Sequence, residues 1–137
     1  MSSMETKLRD LEGYHGEIPP FNWPGGRKLA VQFVLNLEEG GENSIIYGDK
    51  HSETFLSEII GAEPFFGQRH MSMESLYEYG TRAGVWRILK LFRERQIPIT
   101  IFAVAQALEE NPRIVDQILK DNHEICSHGL RLSLIHI

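Results

Sequence analysis

Cysteine is nearly absent: Cys126 stands alone. A single thiol cannot close an intramolecular disulfide or build a thiolate zinc cluster, which excludes a cystine-stapled secreted module and fits a reducing compartment. Positive charge is also short, with 14 Lys and Arg against 19 Asp and Glu and a formal net charge of −5. No broad cationic surface is available for phosphate backbones, so neither nucleic acid nor an anionic membrane is the expected partner. No run reaches the roughly eighteen apolar residues of a membrane span, and the opening MSSMETKLRDLEG is charged and lacks the apolar centre of a signal peptide. A cytoplasmic location is expected. What the chain does have is ordinary for one globular domain: 137 residues, 42% of them hydrophobic, a composition that argues against disorder.

Residues 1–28 hold Gly13, Gly16, Pro19, Pro20, Pro24, Gly25 and Gly26 among scattered aromatics. That mixture interrupts helix and strand alike and reads as an extended arm. The apolar, β-branched run Leu29 to Leu37 suits a strand buried on both faces of a parallel sheet. Glu42 to Tyr79 has no sustained period and is long for a structureless connection, which suggests a functional or partly helical excursion. From Arg82 onward, Val85, Trp86, Leu89 and Phe92 recur at helical spacing. Ile97 to Val104 is a second buried-strand run, followed by a short helix in AVAQALEE. Asn111 and Pro112 read as N-cap and first position of a further helix with Ile114, Val115, Ile118 and Leu119 on its apolar face. His123 to Ser127 is the expected third strand. Strand, helix, strand, helix, strand is the grammar of a parallel α/β sheet, whose ligand sites lie at the carboxyl ends of the strands. A closed barrel takes about 250 residues, so this chain makes either a small open sheet or an incomplete one.

Parallel topology puts Glu38 and Glu39 at the carboxyl end of the first strand and Ser127, His128 and Gly129 at the same end of the third. Two carboxylates and an imidazole meeting there suit a hydrolytic site. The same residues read equally as a solvated acidic turn and a hydrogen-bonded loop histidine. The acidic group Glu38, Glu39 and Glu42 suits a hard cation or simply a strand exit. HEICSH spaces His123 and His128 by five, on opposite faces of a strand, and is no helical zinc-protease motif. His15, His51, His70 and His136 are expected in surface or structural roles, and Cys126 as a small buried hydrophobe.

The segments LAVQFVLNLEEGGEN, SETFLSEIIGA, RHMSMESLYEYGTRAGVWRILKLF, PITIFAV and NHEICSHG together resemble the polysaccharide deacetylase (NodB-homology) superfamily, most closely its metal-independent allantoinase branch. The similarity runs from about Tyr14 to Gly129, so 29–129 is expected as an incomplete domain of this kind, and the tail 130–137 does not match. The resemblance implies the N-terminal part of a distorted (β/α) barrel with helices outside. Where the deacetylases carry TFDDG, with a base and then a metal ligand, this chain has Asn36, Leu37, Glu38, Glu39 and Gly40. His128 matches the first of two metal histidines four residues apart, while the position of the second holds Leu132. A catalytic zinc wants three protein ligands, so no metal ligands and no cofactor are expected.

The implied reaction is hydrolysis of a non-peptide C–N bond in a small cyclic amide, allantoin to allantoate in purine catabolism. Glu38 is the expected base, Glu39 its assistant or a holder of the substrate's ureido donors, and His128 the oxyanion contact or proton donor. Arg69, Glu78 and Arg82 are candidates for substrate binding, although on a charged loop-to-helix junction they read equally as solvated or capping residues. Tyr77 and Tyr79 stay undecided. One alternative is a zinc-dependent chitin or peptidoglycan deacetylase. Another is an inactive fragment or interaction module. The isolated chain is expected to be weakly stable, aggregation-prone and largely inactive, and the full-length form to assemble as a homo-oligomer.

Overall fold

A computed structural model describes residues 13–54 and 59–132. The chain divides into two compact units, Met1–Val31 and Gln32–Ile137. In the first, Glu17 N–H closes a turn onto the Tyr14 carbonyl at 2.8 Å, Phe21 and Trp23 meet edge to face at 4.7 Å, and Pro24–Gly26 forms a single 3-10 turn.

The second unit is built on three parallel strands, β1 (Val34–Leu37), β2 (Thr100–Ala103) and β3 (Glu124–Ser127), in that spatial order. Leu35 pairs with Ile101 and Ile101 with Ile125; Leu37 pairs with Ala103 and Ala103 with Ser127. Among the described residues four α-helices, α1 (Met71–Tyr79), α2 (Val85–Glu94), α3 (Ala105–Glu110) and α4 (Pro112–Lys120), and a 3-10 turn, Ile45–Tyr47, accompany the sheet. A π-helical turn, Gly80–Gly84, joins α1 to α2. The core gathers Leu37, Val85, Leu89, Ile99, Ile101, Ala103, Val104, Ala107, Ile114 and Ile118 between the sheet and these helices. Among the described residues no helix is long and apolar enough to cross a membrane.

Sequence and structure agree at α4, where Asn111 Oδ1 accepts the Ile114 N–H at 3.3 Å and Pro112 opens the helix. They differ at three elements. The first strand is only Val34–Leu37, and Leu29 and Val31 are 75% and 66% exposed. It is also not buried on both faces. It is an edge strand, so Leu35 and Leu37 pack into the core while the alternate residues Val34 and Asn36 lie on a solvent-exposed face. The second difference is the helix expected from Arg82, which begins at Met71 as α1. Only Met73 of α1 is buried, and the π turn inserts a residue that resets the helical phase before the strong apolar face of α2 begins. Third, Cys126 is half-buried rather than a core residue, because its register partners are Phe102 and Asn36 on the exposed face.

The excursion after β1 folds back on itself. Ser52 N–H donates to the Phe65 carbonyl at 3.0 Å, Phe65 N–H donates to Ser52 Oγ at 2.9 Å, and His51 bridges to Phe66. Residues 55–58 of the SETFLSEIIGA segment lie outside the described residues, as do 133–137 of the tail, including His136. The start of that tail, in contrast, is tied to the domain: Leu132 N–H donates to Gly41 O at 2.9 Å, Gln106 N–H donates to Leu130 O at 3.1 Å, and the Leu132 side chain packs on the core.

Candidate functional site

The carboxyl ends of β1 and β3 bring two of the expected residues together. Glu38 follows β1 on the face that carries Asn36, and His128 follows β3 on the face that carries Cys126. His128 Nε2 lies 3.0 Å from Glu38 Oε1, and Asn36 Nδ2 donates to the same oxygen at 3.2 Å. Neither contact uses Oε2. His128 is fixed from two further sides: its backbone N–H donates to Ala103 O at 3.0 Å, and its ring stacks on Phe102 with centroids 6.0 Å apart. The Glu38 side chain is 15% exposed and the His128 side chain 42%. The pair is therefore ordered yet open to a small molecule. Just beyond it, Gly41 N–H closes a turn onto Glu38 O at 2.8 Å, and Gly40 occupies φ +104°, a left-handed conformation that explains the glycine.

Glu39 does not join this pair. Its side chain turns to the helix side, lying against Gly80, while its Oε2 accepts the Glu38 N–H at 3.2 Å. There it lines a cavity of about 200 Å³ together with Glu42, Arg69, Tyr77, Glu78 and Glu110. Arg69 is already engaged, since its guanidinium takes both oxygens of Glu74 and holds that carboxyl below the usual range. Arg82 does not line the cavity; it pairs with Glu78 at 3.1 Å, one helical turn apart, with both side chains largely exposed. The expected substrate-binding trio is thus divided between a cavity wall and a solvated helix pair. His123 sits at the opposite end of β3 from His128, buried, with Nδ1 accepting the Ile99 N–H at 3.4 Å.

Four residues that the sequence leaves undecided or unmarked, Glu42, Asn43, Glu53 and Tyr77, form a partly buried polar layer along this cavity. Glu42 Oε2 accepts the Gly40 N–H, Asn43 donates to Glu53 Oε2 at 2.8 Å, and Tyr77 stands beside them. Burial pushes the Tyr77 hydroxyl well above the ordinary phenol range, with the charges of Glu53 and Glu42 adding to it. Arg131 anchors the layer from the far end of the chain by reaching both Glu42 O and the Asp49 carboxylate. The available signal was the EEGGE spacing itself, but only the return of the excursion buries Glu42.

Burial also raises the Glu42 pKa, an effect larger than the hydrogen bond from Gly40 that lowers it. A carboxyl whose folded-state pKa lies above its unfolded value favours folding while protonated and loses that contribution as pH rises through the folded value. Glu42→Gln keeps an acceptor oxygen for Gly40 and removes the charge. It is expected to raise Tm at pH 7, with the gain shrinking toward zero below the ordinary glutamate range, as thermal melts across pH would record.

The donor set does not suit a catalytic zinc. Glu38 and His128 direct Oε1 and Nε2 at each other, Glu39 faces the helices, and Leu132 is held by its backbone and packed inward. Among the described residues no three His, Cys, Asp or Glu side chains are grouped to hold a metal ion.

Comparison with known proteins bears on the family and the fold. The sequence profile of the family "Polysaccharide deacetylase" matches residues 69–135. A Schizosaccharomyces pombe protein bearing the polysaccharide deacetylase name is 46% identical over 128 residues, which are 91% of this chain and 40% of that protein. Two crystal structures, each 58% identical, superpose over 91% of the chain: a polysaccharide deacetylase by name from Pseudomonas aeruginosa PAO1, with a TM-score of 0.82 and 42% of its length covered, and Puue Allantoinase, with 0.81 and 41%. The chain therefore spans about two fifths of the length of these relatives. Its parallel sheet and helices form the N-terminal part of a distorted (β/α) barrel of their kind, as the sequence implied. By fold, by profile and by residue identity, the chain belongs to the polysaccharide deacetylase (NodB-homology) family.

Proposed function

We propose that this chain carries part of the active site of a hydrolase that opens a cyclic amide C–N bond, with allantoin as substrate and allantoate as product. The observation that carries the reading is the Glu38–His128 contact at the carboxyl ends of the strands, where open α/β sheets bind their ligands. Further support comes from the 58% identity to Puue Allantoinase and from a donor set that does not suit zinc.

The chemistry follows from the two side chains. Glu38 takes a proton from water through Oε2 as the water oxygen adds to the ring carbonyl. His128 Nε2, 3.0 Å from Glu38 Oε1 in the free site, gives a proton to the ring nitrogen as the C–N bond breaks, and the proton that Glu38 took from water then passes to His128, so that both groups return to their starting state. One water is consumed, and no other reactant is needed. Asn36 keeps the Glu38 carboxylate in place throughout.

A second reading, zinc-dependent deacetylation of chitin or peptidoglycan, draws on the names of two relatives. The deciding experiment is allantoin hydrolysis by the purified protein before and after treatment with a chelator. Allantoate production that survives chelation is the expected result. Acetate release from a chitin oligosaccharide that requires added zinc would transfer the assignment to the deacetylase. No turnover of either compound would leave the chain as a non-catalytic fragment.

A further inference from the structure

We propose that Glu39 is a positioning residue, which fixes the base Glu38 through Glu38's own backbone N–H, and that Gly80 in the π-helical turn is the seat that permits it. The inference rests on Glu38 acting as the base.

Adjacent residues on an extended strand exit face opposite sides. With Glu38 on the other face, Glu39 lies toward the helix layer, bordering Leu35, Leu37, Tyr79, Val85 and Ile88 on one side and the polar cavity on the other. A carboxylate beside such a wall has a cost unless it keeps hydrogen-bond partners. Glu39 finds one by curling back so that Oε2 accepts the N–H of the residue before it, at 3.2 Å. Its charge then strengthens a bond whose donor belongs to the residue carrying the base. Beside the His128 contact, Asn36 thus holds the carboxylate head of Glu38, and Glu39 holds the backbone N–H from which it projects.

Room for that curl exists at one point on the neighbouring helix. A Cβ placed on Gly80 would fall 2.7 Å from Glu39 Cδ and 2.9 Å from Cγ, closer than real Cβ atoms come, and closer still to Oε1. Gly80 opens the π turn, where Val85 N–H donates to Gly80 O and Trp86 Nε1 donates to Thr81 O at 3.1 Å. Such turns are rare and concentrate at functional sites. Here the turn presents a bare Cα to the side chain that orders the base. Trp86 ties its indole to the turn through that bond.

The test compares Glu39→Gln, which retains an acceptor oxygen, with Glu39→Ala and Gly80→Ala, which remove or displace it. Amide hydrogen exchange of Glu38 is read by NMR on the purified chain, alongside kcat and KM for allantoin. Glu39→Ala and Gly80→Ala are expected to speed Glu38 exchange at least about tenfold, the worth of one charge-assisted hydrogen bond, while Ile101 and Phe102 in β2 stay protected. Both should lower kcat with KM little changed, Glu39→Gln should recover most of each quantity, and adding Gly80→Ala to Glu39→Ala should change nothing further. Unchanged Glu38 exchange in Glu39→Ala would overturn the proposal. So would Glu39→Gln as damaged as Glu39→Ala with a raised KM, the pattern of a direct substrate contact. A wild-type chain that does not hydrolyse allantoin is a non-catalytic fragment, and the exchange data still decide whether Glu39 holds Glu38. If Gly80→Ala does not fold, the Glu39 pair of variants decides alone.

Discussion

Glu38→Gln is expected to lower kcat for allantoin opening by about 10²- to 10⁴-fold, the usual contribution of a positioned general base, while KM and Tm change little. The substitution is nearly isosteric. A glutamine oxygen still accepts from Asn36 Nδ2 and from His128 Nε2, so the contacts that hold the side chain survive. What disappears is the ability of the other terminal atom to take a proton from water. The reaction is thereby separated from the architecture, because binding depends on groups that remain and chemistry on the one that is gone. Steady-state kinetics with a parallel thermal melt make the test. Full activity in Glu38→Gln would remove Glu38 as the base and leave His128 as the residue to examine, whereas lost activity with a large fall in Tm would show that the variant had disturbed the strand end.

The approach of Glu38 to His128 was legible before any coordinates, because it depends only on topology. Parallel strands have their carboxyl ends on one side, so residues after the first and third strands must share that side. The divergence of Glu38 and Glu39 was legible in principle from the same alternation that spoils HEICSH as a metal motif, since neighbours on a strand cannot both face one cavity. Glu42 and Tyr77 are different. They meet because the excursion after β1 returns through the Ser52–Phe65 contacts, and nothing in local periodicity encodes that return. The strands divide in the same way. β2 has a strand on each side and is buried at Thr100, Ile101 and Ala103, so it reads plainly as an apolar run, whereas β1 lies at the sheet edge and its apolar stretch extends past the residues that pair. α1 is legible only as part of a partly helical excursion, because it buries little beyond Met73 and because the π turn separates its phase from that of α2. The device that hid the helix is the one that admits Glu39 beside Gly80.

The largest loss of stability is expected at Ile101. This residue is fully buried in the central strand, its backbone paired to Leu35 on one side and Ile125 on the other, and its side chain belongs to the core with Leu89, Ile114 and Ile118. Ile101→Ala removes three carbons from a region that cannot collapse easily, because the flanking strands fix the backbone while the helices fix the opposite wall. Such truncations cost about 2–5 kcal/mol, out of a total that for most domains is about 5–15 kcal/mol. A fall in Tm of roughly 10 °C or more is the corresponding observation. The site should weaken with the core: Val104 N–H donates to Leu37 O at 2.9 Å and His128 N–H to Ala103 O at 3.0 Å, so the continuation of β2 is the brace for the strand ends that carry Glu38 and His128. Well below the new Tm, kcat should be close to wild type; near it, activity should fall in step with the folded fraction. A decrease in stability below about 1 kcal/mol would mean that Ile101 is not packed as a central core residue, and activity lost while the chain remains folded would mean that β2 governs the Glu38–His128 geometry more tightly than a passive brace.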